Sequence, residues 1–271
     1  MFSILYTETN YFRDNYNIPR YSIILMEDPS EFSIDFVNYT TKRNSILFLS
    51  PYQNLKWLRT SPQKIKIIEF HGDFYCIEYH KKEVACNGLL FNNIYSQPYI
   101  SLDESNFREL EIVVEKMDFE NQNKINFSDA VLRSYLQLLL AICSREKALQ
   151  IDDTLLEHPF ETQLLEFQSL LEQHFILQRT PSFYANVLAM SPSSFSKKVK
   201  QQFGKTPTKL IQERVVLEAK KQLHLTHKSV KEIASLLNFD DEYYFSRYFK
   251  KEVGLPPSQF REEVGISIVA K

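Results

Sequence analysis

The feature that most constrains this chain is an internal repeat close to its C-terminus. Phe195-Ser196-Lys197-Lys198-Val199-Lys200, followed by Gly204 and Pro207, matches Phe245-Ser246-Arg247-Tyr248-Phe249-Lys250, followed by Gly254 and Pro257, at an offset of 50 residues. Ala185 and Leu188 ahead of the first block match Ala234 and Leu237 ahead of the second at an offset of 49, so the one-residue slip falls in a turn. A repeat of this kind encodes one supersecondary unit used twice. Each copy reads as a short amphipathic helix, a turn and a second helix, the plan of a helix-turn-helix.

Local chemistry supports those boundaries. Ser229-Val-Lys-Glu232 has the capping-box pattern, with the serine oxygen and the glutamate each reaching an amide of the other. Val230, Ile233, Ala234 and Leu237 follow at helical spacing. Asp240 or Asp241 is placed to cap the next helix, in which Phe245, Phe249 and Val253 turn inward before Gly254 stops it. In the first copy Thr180-Pro181 and Ser191-Pro192 open the two helices, and Phe195, Val199 and Phe203 face inward ahead of Gly204. A longer helix from Thr206-Pro207 to about Leu223 joins the copies, with Ile211, Val215, Val216, Ala219 and Leu223 available for burial.

Once the apolar face is assigned, helical geometry gives the outer one: Ser193, Ser196, Lys197 and Lys200 in the first copy, Tyr243, Ser246, Arg247 and Lys250 in the second. Hydroxyls and cations are the groups that reach phosphates and base edges. Arg247 can donate two bonds to one guanine, or pair with Glu242 or Asp241; both readings stand. Lys200 and Lys250 are expected to hold phosphate. Between Arg179 and Arg261 there are 15 Lys and Arg against 7 Asp and Glu, whereas the remainder has 17 against 27. A basic segment on an acidic body fits a polyanion-binding module joined to one that avoids polyanions.

These residues resemble the AraC/XylS family of bacterial regulators, most closely from Ile233 to Arg261, and in Met190-Ser-Pro-Ser-Ser-Phe-Ser with Gly204-Lys-Thr-Pro207. The resemblance covers about residues 165 to 264. It implies a seven-helix domain reading two adjacent major grooves of double-stranded DNA, whose base-facing sites fall on Ser193, Ser196 and Lys197, then on Glu242, Tyr243, Ser246 and Arg247. Reading helices in successive grooves must sit ~34 Å apart. Glu242 departs from a simple basic surface: a carboxylate there accepts from cytosine N4 or repels phosphate.

The first half alternates as strands do, in Phe32–Tyr39, Ser45–Ser50, Lys64–Phe70 and Tyr75–Tyr79, separated by turn residues. An antiparallel sandwich or barrel is expected over about residues 1–100, although the whole chain has only 5 glycines, few for tight hairpins. Helices follow over about 103–148: Phe107, Leu110, Val114 and Met117 share one face, and Val131, Tyr135, Leu138, Leu139 and Ile142 another. The second helix covers the barrel or pairs with its copy in another subunit. Gln150 to Pro159 breaks the pattern, giving an α+β chain with domains at 1–150 and 160–264.

The family resemblance implies a cupin-like N-terminal barrel with helices that form a homodimer, and leaves room for RNA polymerase and a small-molecule effector as partners. Phe36, Phe48, Trp57 and Phe70 line an effector pocket or, the favoured reading, pack the core. His71 and His80 are too few for the cupin metal pattern, so no metal, cofactor or catalysis is expected; the competing reading is a metal-dependent cupin enzyme with an accessory helical domain. Cys76, Cys86 and Cys143 lack metal or disulfide spacing and read as small hydrophobes. With no secretory signal in MFSILYTETNYFRD and no membrane span, a cytoplasmic location is expected.

Overall fold

A computed structural model describes residues 2–11, 16–35, 37–58, 61–75, 89–157 and 162–265, with side chains described outside 152–162. Phe36, Cys76, His80, Cys86, Pro159 and all of the expected strand Tyr75–Tyr79 beyond its first residue lie outside them. The chain divides into two compact units, one of residues 1–93 and 97–153, the other of 94–96 and 154–271.

The first unit holds eight described strands: β1 (Phe2–Glu8), β2 (Tyr21–Met26), β3 (Glu31–Ile34), β4 (Val37–Thr40), β5 (Ser45–Leu49), β6 (Leu55–Trp57), β7 (Lys64–Phe70) and β8 (Tyr99–Ser101). They form an antiparallel five-stranded sheet, β1-β7-β2-β5-β8, and a three-stranded sheet, β4-β3-β6. Among the described residues the two sheets do not close into a barrel.

Every residue of β2 and β5 is buried, because both faces of the large sheet are covered. Ile23, Leu25, Ile46, Phe48, Ile68 and Phe70 form one core with Leu110, Val114, Met117, Leu136 and Leu139. Their neighbours Ile24, Met26, Leu47, Leu49, Ile65 and Ile67 point the other way, onto Phe32, Ile34 and Leu55 of the small sheet. The unit is therefore layered as helix pair, large sheet, small sheet, with period-2 alternation assigning each strand residue to one of two cores.

The stretch expected as one strand over Phe32–Tyr39 is a hairpin. The chain reverses at Asp35, whose φ of 46° is left-handed, and Ile34 lies opposite Val37. Asp and Asn tolerate that conformation better than most side chains, which is how a glycine-poor chain turns: Asp35, Asn44 and Asn92 all have positive φ.

Two helices follow, α1 (Glu104–Asn123) and α2 (Ser128–Glu157). Asp103 caps α1 by accepting from the Asn106 amide at 2.7 Å. The expected break after Gln150 is absent: α2 runs 30 residues, since Gln150 to Glu157 contains neither Gly nor Pro. Gln150 donates to the Ser101 carbonyl at 2.6 Å, and Lys147 to the carbonyls of Gln97 and Tyr99 at 2.7 and 2.9 Å, so this end of α2 holds β8 in place. Burial lowers the Lys147 ammonium to about 8. Cys143 is buried in the core, as a small hydrophobe is.

The second unit contains seven described helices: α3 (Thr162–His174), α4 (Pro181–Val187), α5 (Pro192–Phe203), α6 (Pro207–Leu225), α7 (Val230–Leu236), α8 (Glu242–Val253) and α9 (Pro257–Val264).

Candidate nucleic-acid interface

The repeat in the sequence is a repeat in the backbone. Helices α4 and α7 are both 7 residues long, and α5 and α8 are both 12. Gly204 and Gly254 end the latter pair in left-handed conformations, φ 68° and 95°, their amides donating to Lys200 and Lys250 carbonyls at 3.0 and 2.8 Å. A Cβ would strain either glycine even though space is open around it. Ser191 caps α5 by accepting from the Ser194 amide at 3.2 Å, and Asp241 caps α8 by accepting from Tyr244 at 2.7 Å. The capping box at α7 is complete: the Glu232 amide donates to Ser229 Oγ at 3.1 Å and the Ser229 amide to Glu232 Oε2 at 2.6 Å. Those donors hold the exposed Glu232 carboxyl below its ordinary range.

The turns match as well. Ala189 and Asn238 are left-handed, φ 53° and 56°, and the next amides, Met190 and Phe239, each donate 2.9 Å to Ala185 and Ala234 carbonyls. Alanine bears this conformation at a cost. Ala189→Gly is expected to stabilise the second unit by about 0.5–1 kcal/mol in urea denaturation, with Asn238→Gly giving less, because asparagine already tolerates the turn.

Phe195, Val199, Phe245, Phe249 and Val253 are buried. Phe195 meets Phe167 with ring centroids 5.1 Å apart, and Phe245 meets Phe239 at 5.1 Å. Phe203 is half-buried rather than buried and lies 6.3 Å from Phe167. With those rings inward, Ser193, Ser196, Lys197 and Lys200 are exposed on α5. On α8, Tyr243, Arg247 and Lys250 are exposed, while Glu242 and Ser246 are half-buried. Arg247 makes no ion pair among the described residues, and Asp241 is occupied as the cap of α8. Glu242 is the first residue of α8, where a carboxylate interacts favourably with the helix dipole, which accounts for an acid on this surface.

Several cations counted in the basic segment face inward. Lys205 pairs with Glu213 at 2.7 Å, Lys209 with Glu252 at 3.0 Å, and Arg214 with Glu172 and Glu218 at 2.8 and 3.3 Å while covering the Phe175 ring. Arg261 donates to the carbonyls of Leu223 and Lys228, and Arg179 to those of Leu237 and Asn238. The positive surface is consequently more concentrated on α5 and α8 than the residue count suggests. No group of histidine, cysteine, aspartate or glutamate suited to a metal occurs among the described residues. In the first unit Phe48 and Phe70 belong to the core against α1 and α2, while Trp57 packs on Phe32 at 5.7 Å, so these three aromatics do not share one pocket.

Residues 184–263 match a family model described as a helix-turn-helix domain. The arabinose operon regulatory protein of Salmonella typhimurium is 33% identical over 92 residues, 34% of this chain and 31% of that protein. The transcriptional activator RhaS of Escherichia coli is 28% identical over 155 residues, 57% of this chain and 53% of that protein. Among solved structures, the C-terminal domain of AraT, a response regulator from Geobacillus stearothermophilus, is 28% identical; it covers 40% of this chain and 91% of that one with a TM-score of 0.38. The chain spans between about a quarter and a half of the length of the curated relatives it matches.

Proposed function

We propose that this chain, whose residues 184–263 match a helix-turn-helix domain model, is a sequence-specific DNA-binding transcription regulator of the AraC/XylS type whose α5 and α8 enter successive major grooves. One observation carries the reading: two helices of identical length, 50 residues apart, bury equivalent apolar positions, Phe195 and Val199 in one and Phe245 and Phe249 in the other, and expose Ser193, Lys197 and Lys200 opposite Tyr243, Arg247 and Lys250. Ser193, Ser196 and Lys197 on α5, and Tyr243, Ser246 and Arg247 on α8, read base edges; Lys200 and Lys250 hold phosphates. The relatives named above carry the names of regulators, which supports reading the chain as a binding protein.

The first unit serves as a cupin-like sensor and dimerisation module. Its support for dimerisation is the apolar surface at one end of the helix pair, where Phe119 of α1 and Ile125 and Phe127 of the α1–α2 connection are 65, 61 and 84% exposed. A small-molecule effector and RNA polymerase are the further partners of such a regulator, which works in the cytoplasm; no described helix is long and apolar enough to cross a membrane.

The test is selection of duplexes from a random pool, followed by titration at several salt concentrations. Each phosphate held by a cation contributes about −0.9 to the slope of log affinity against log salt. Lys250→Ala is expected to weaken selected and random duplexes alike and to lower the magnitude of that slope by roughly 1. A flat salt response, or equal affinity for every duplex, would overturn the reading.

A further inference from the structure

The two reading helices are joined by more than α6. Arg179 lies in the short connection between α3 and α4, on the side of the first helix-turn-helix. Its backbone is anchored there: the Gln178 amide donates to the His174 carbonyl at 2.8 Å, and the buried Tyr184 of α4 donates its hydroxyl to the Gln178 carbonyl at 2.7 Å. Its side chain goes to the other copy. The guanidinium donates to the carbonyls of Leu237 and Asn238 in the turn between α7 and α8, and lies 4.0 Å from the centre of the Phe239 ring. Phe239 in turn packs on Tyr244, Phe245 and Tyr248 of α8, with centroid separations of 5.7, 5.1 and 5.2 Å.

The equivalent carbonyl in the first copy, Leu188 O, accepts from Gln163 Nε2 at 3.4 Å. The turn in each copy is thus held from outside it, by a neutral amide in one copy and in the other by a guanidinium reaching across from the opposite half. At its far end α8 is tied to α6 by the Lys209–Glu252 pair at 3.0 Å. The turn that Arg179 contacts leads into the end of α8 that carries Tyr243, Ser246 and Arg247.

We propose that Arg179 is a positioning residue that locks the second reading helix against the first and so sets the spacing between half-elements that the chain accepts in DNA. The proposal rests on the DNA-binding reading above. One terminal nitrogen of the guanidinium reaches both carbonyls while its carbon stands over the Phe239 ring, and a compact, strongly hydrated ammonium lacks the extended planar group that spans turn and ring at once. A rigid connection also raises the effective concentration of the second helix at its groove once the first is bound.

The experiment uses the full chain, unaltered and as Arg179→Ala, Arg179→Lys and Phe239→Leu. Duplexes selected by the unaltered chain are compared with versions carrying one or two extra base pairs between the half-elements, and amide hydrogen exchange is followed without DNA. Coupling between two sites is typically worth roughly 5- to 150-fold, so Arg179→Ala is expected to lose at least about fivefold on the selected duplex. It should lose much less on the lengthened ones, leaving the salt slope unchanged. Arg179→Lys should behave like alanine despite its charge, and Phe239→Leu should show the same loss of spacing discrimination. In hydrogen exchange, the amides of 236–248 should lose protection while those of 184–200 keep it.

Equal losses at every spacing with the slope reduced by about 0.9 would make Arg179 a phosphate contact and overturn the proposal. So would full activity of Arg179→Lys, or unchanged exchange at 236–248. If the unaltered chain selects no duplex, the DNA-binding reading fails, and the spacing claim falls with it, while exchange still reports whether the clasp exists.

Discussion

Phe245→Ala is expected to destabilise the second unit by about 3–5 kcal/mol, the ordinary cost of removing a fully buried aromatic ring. Phe245 is 1% exposed and lies 5.1 Å from Phe239 and 6.0 Å from Phe249, so its loss leaves a cavity between the turn and α8 that neighbouring rings cannot fill without shifting. A domain of this size has a total stability on the order of 5–15 kcal/mol, and the variant would be marginal. Urea denaturation of the full chain, followed by helical circular dichroism, measures it. Phe195→Ala, the equivalent change 50 residues earlier, should cost a comparable amount, since Phe195 is fully buried against Phe167. Ser246→Ala on the outer face should stay within about 0.5 kcal/mol. A loss below 1 kcal/mol at Phe245 would show that α8 presents a different face to the core.

Arg247→Ala is expected to weaken binding to selected DNA by about 1–3 kcal/mol and to broaden the base preference at the position it contacts. The side chain is exposed, carries no ion pair among the described residues, and sits two residues, roughly half a turn, from each of the buried Phe245 and Phe249, on the opposite side of α8. Arg247→Lys keeps the charge and loses the planar pair of donors, so it should retain affinity for random DNA while losing discrimination. Equal losses on selected and random duplexes for the alanine variant would place Arg247 on the phosphate backbone.

The second unit was legible in the sequence because its determinants are local. Caps at Ser191, Ser229 and Asp241, stops at Gly204 and Gly254, and inward positions at Phe195 and Phe245 are all set within a turn or two of helix. The left-handed turns at Ala189 and Asn238 were not, since neither position carries the glycine that usually marks them. Nor was the fate of Arg179, Lys205, Lys209, Arg214 and Arg261, whose partners lie from 4 to 111 residues away, most of them more than 30, and which a charge count takes for surface.

The first unit yielded less for the opposite reason. Its sheet is built from pairings such as β1 with β7, which join Phe2 to Phe70, and no spacing along the chain announces them. β2 is buried at every position because both its faces are covered, so it lacks the alternation that marks a half-buried strand. β6 and β8 have three residues each, too short to show any period. The length of α2 is not legible because the acids at 152 and 153 interrupt the apolar pattern, although neither residue stops a helix.

The central claim is that α5 and α8 lie in neighbouring major grooves of one duplex. Methylation interference tests it directly, because the modified guanine N7 faces that groove. On a selected duplex, interference should fall in two clusters centred roughly 10 base pairs apart on one face of the helix, with Arg247→Ala erasing interference in one and Lys197→Ala weakening the other. A single cluster, or two on opposite faces, would contradict it.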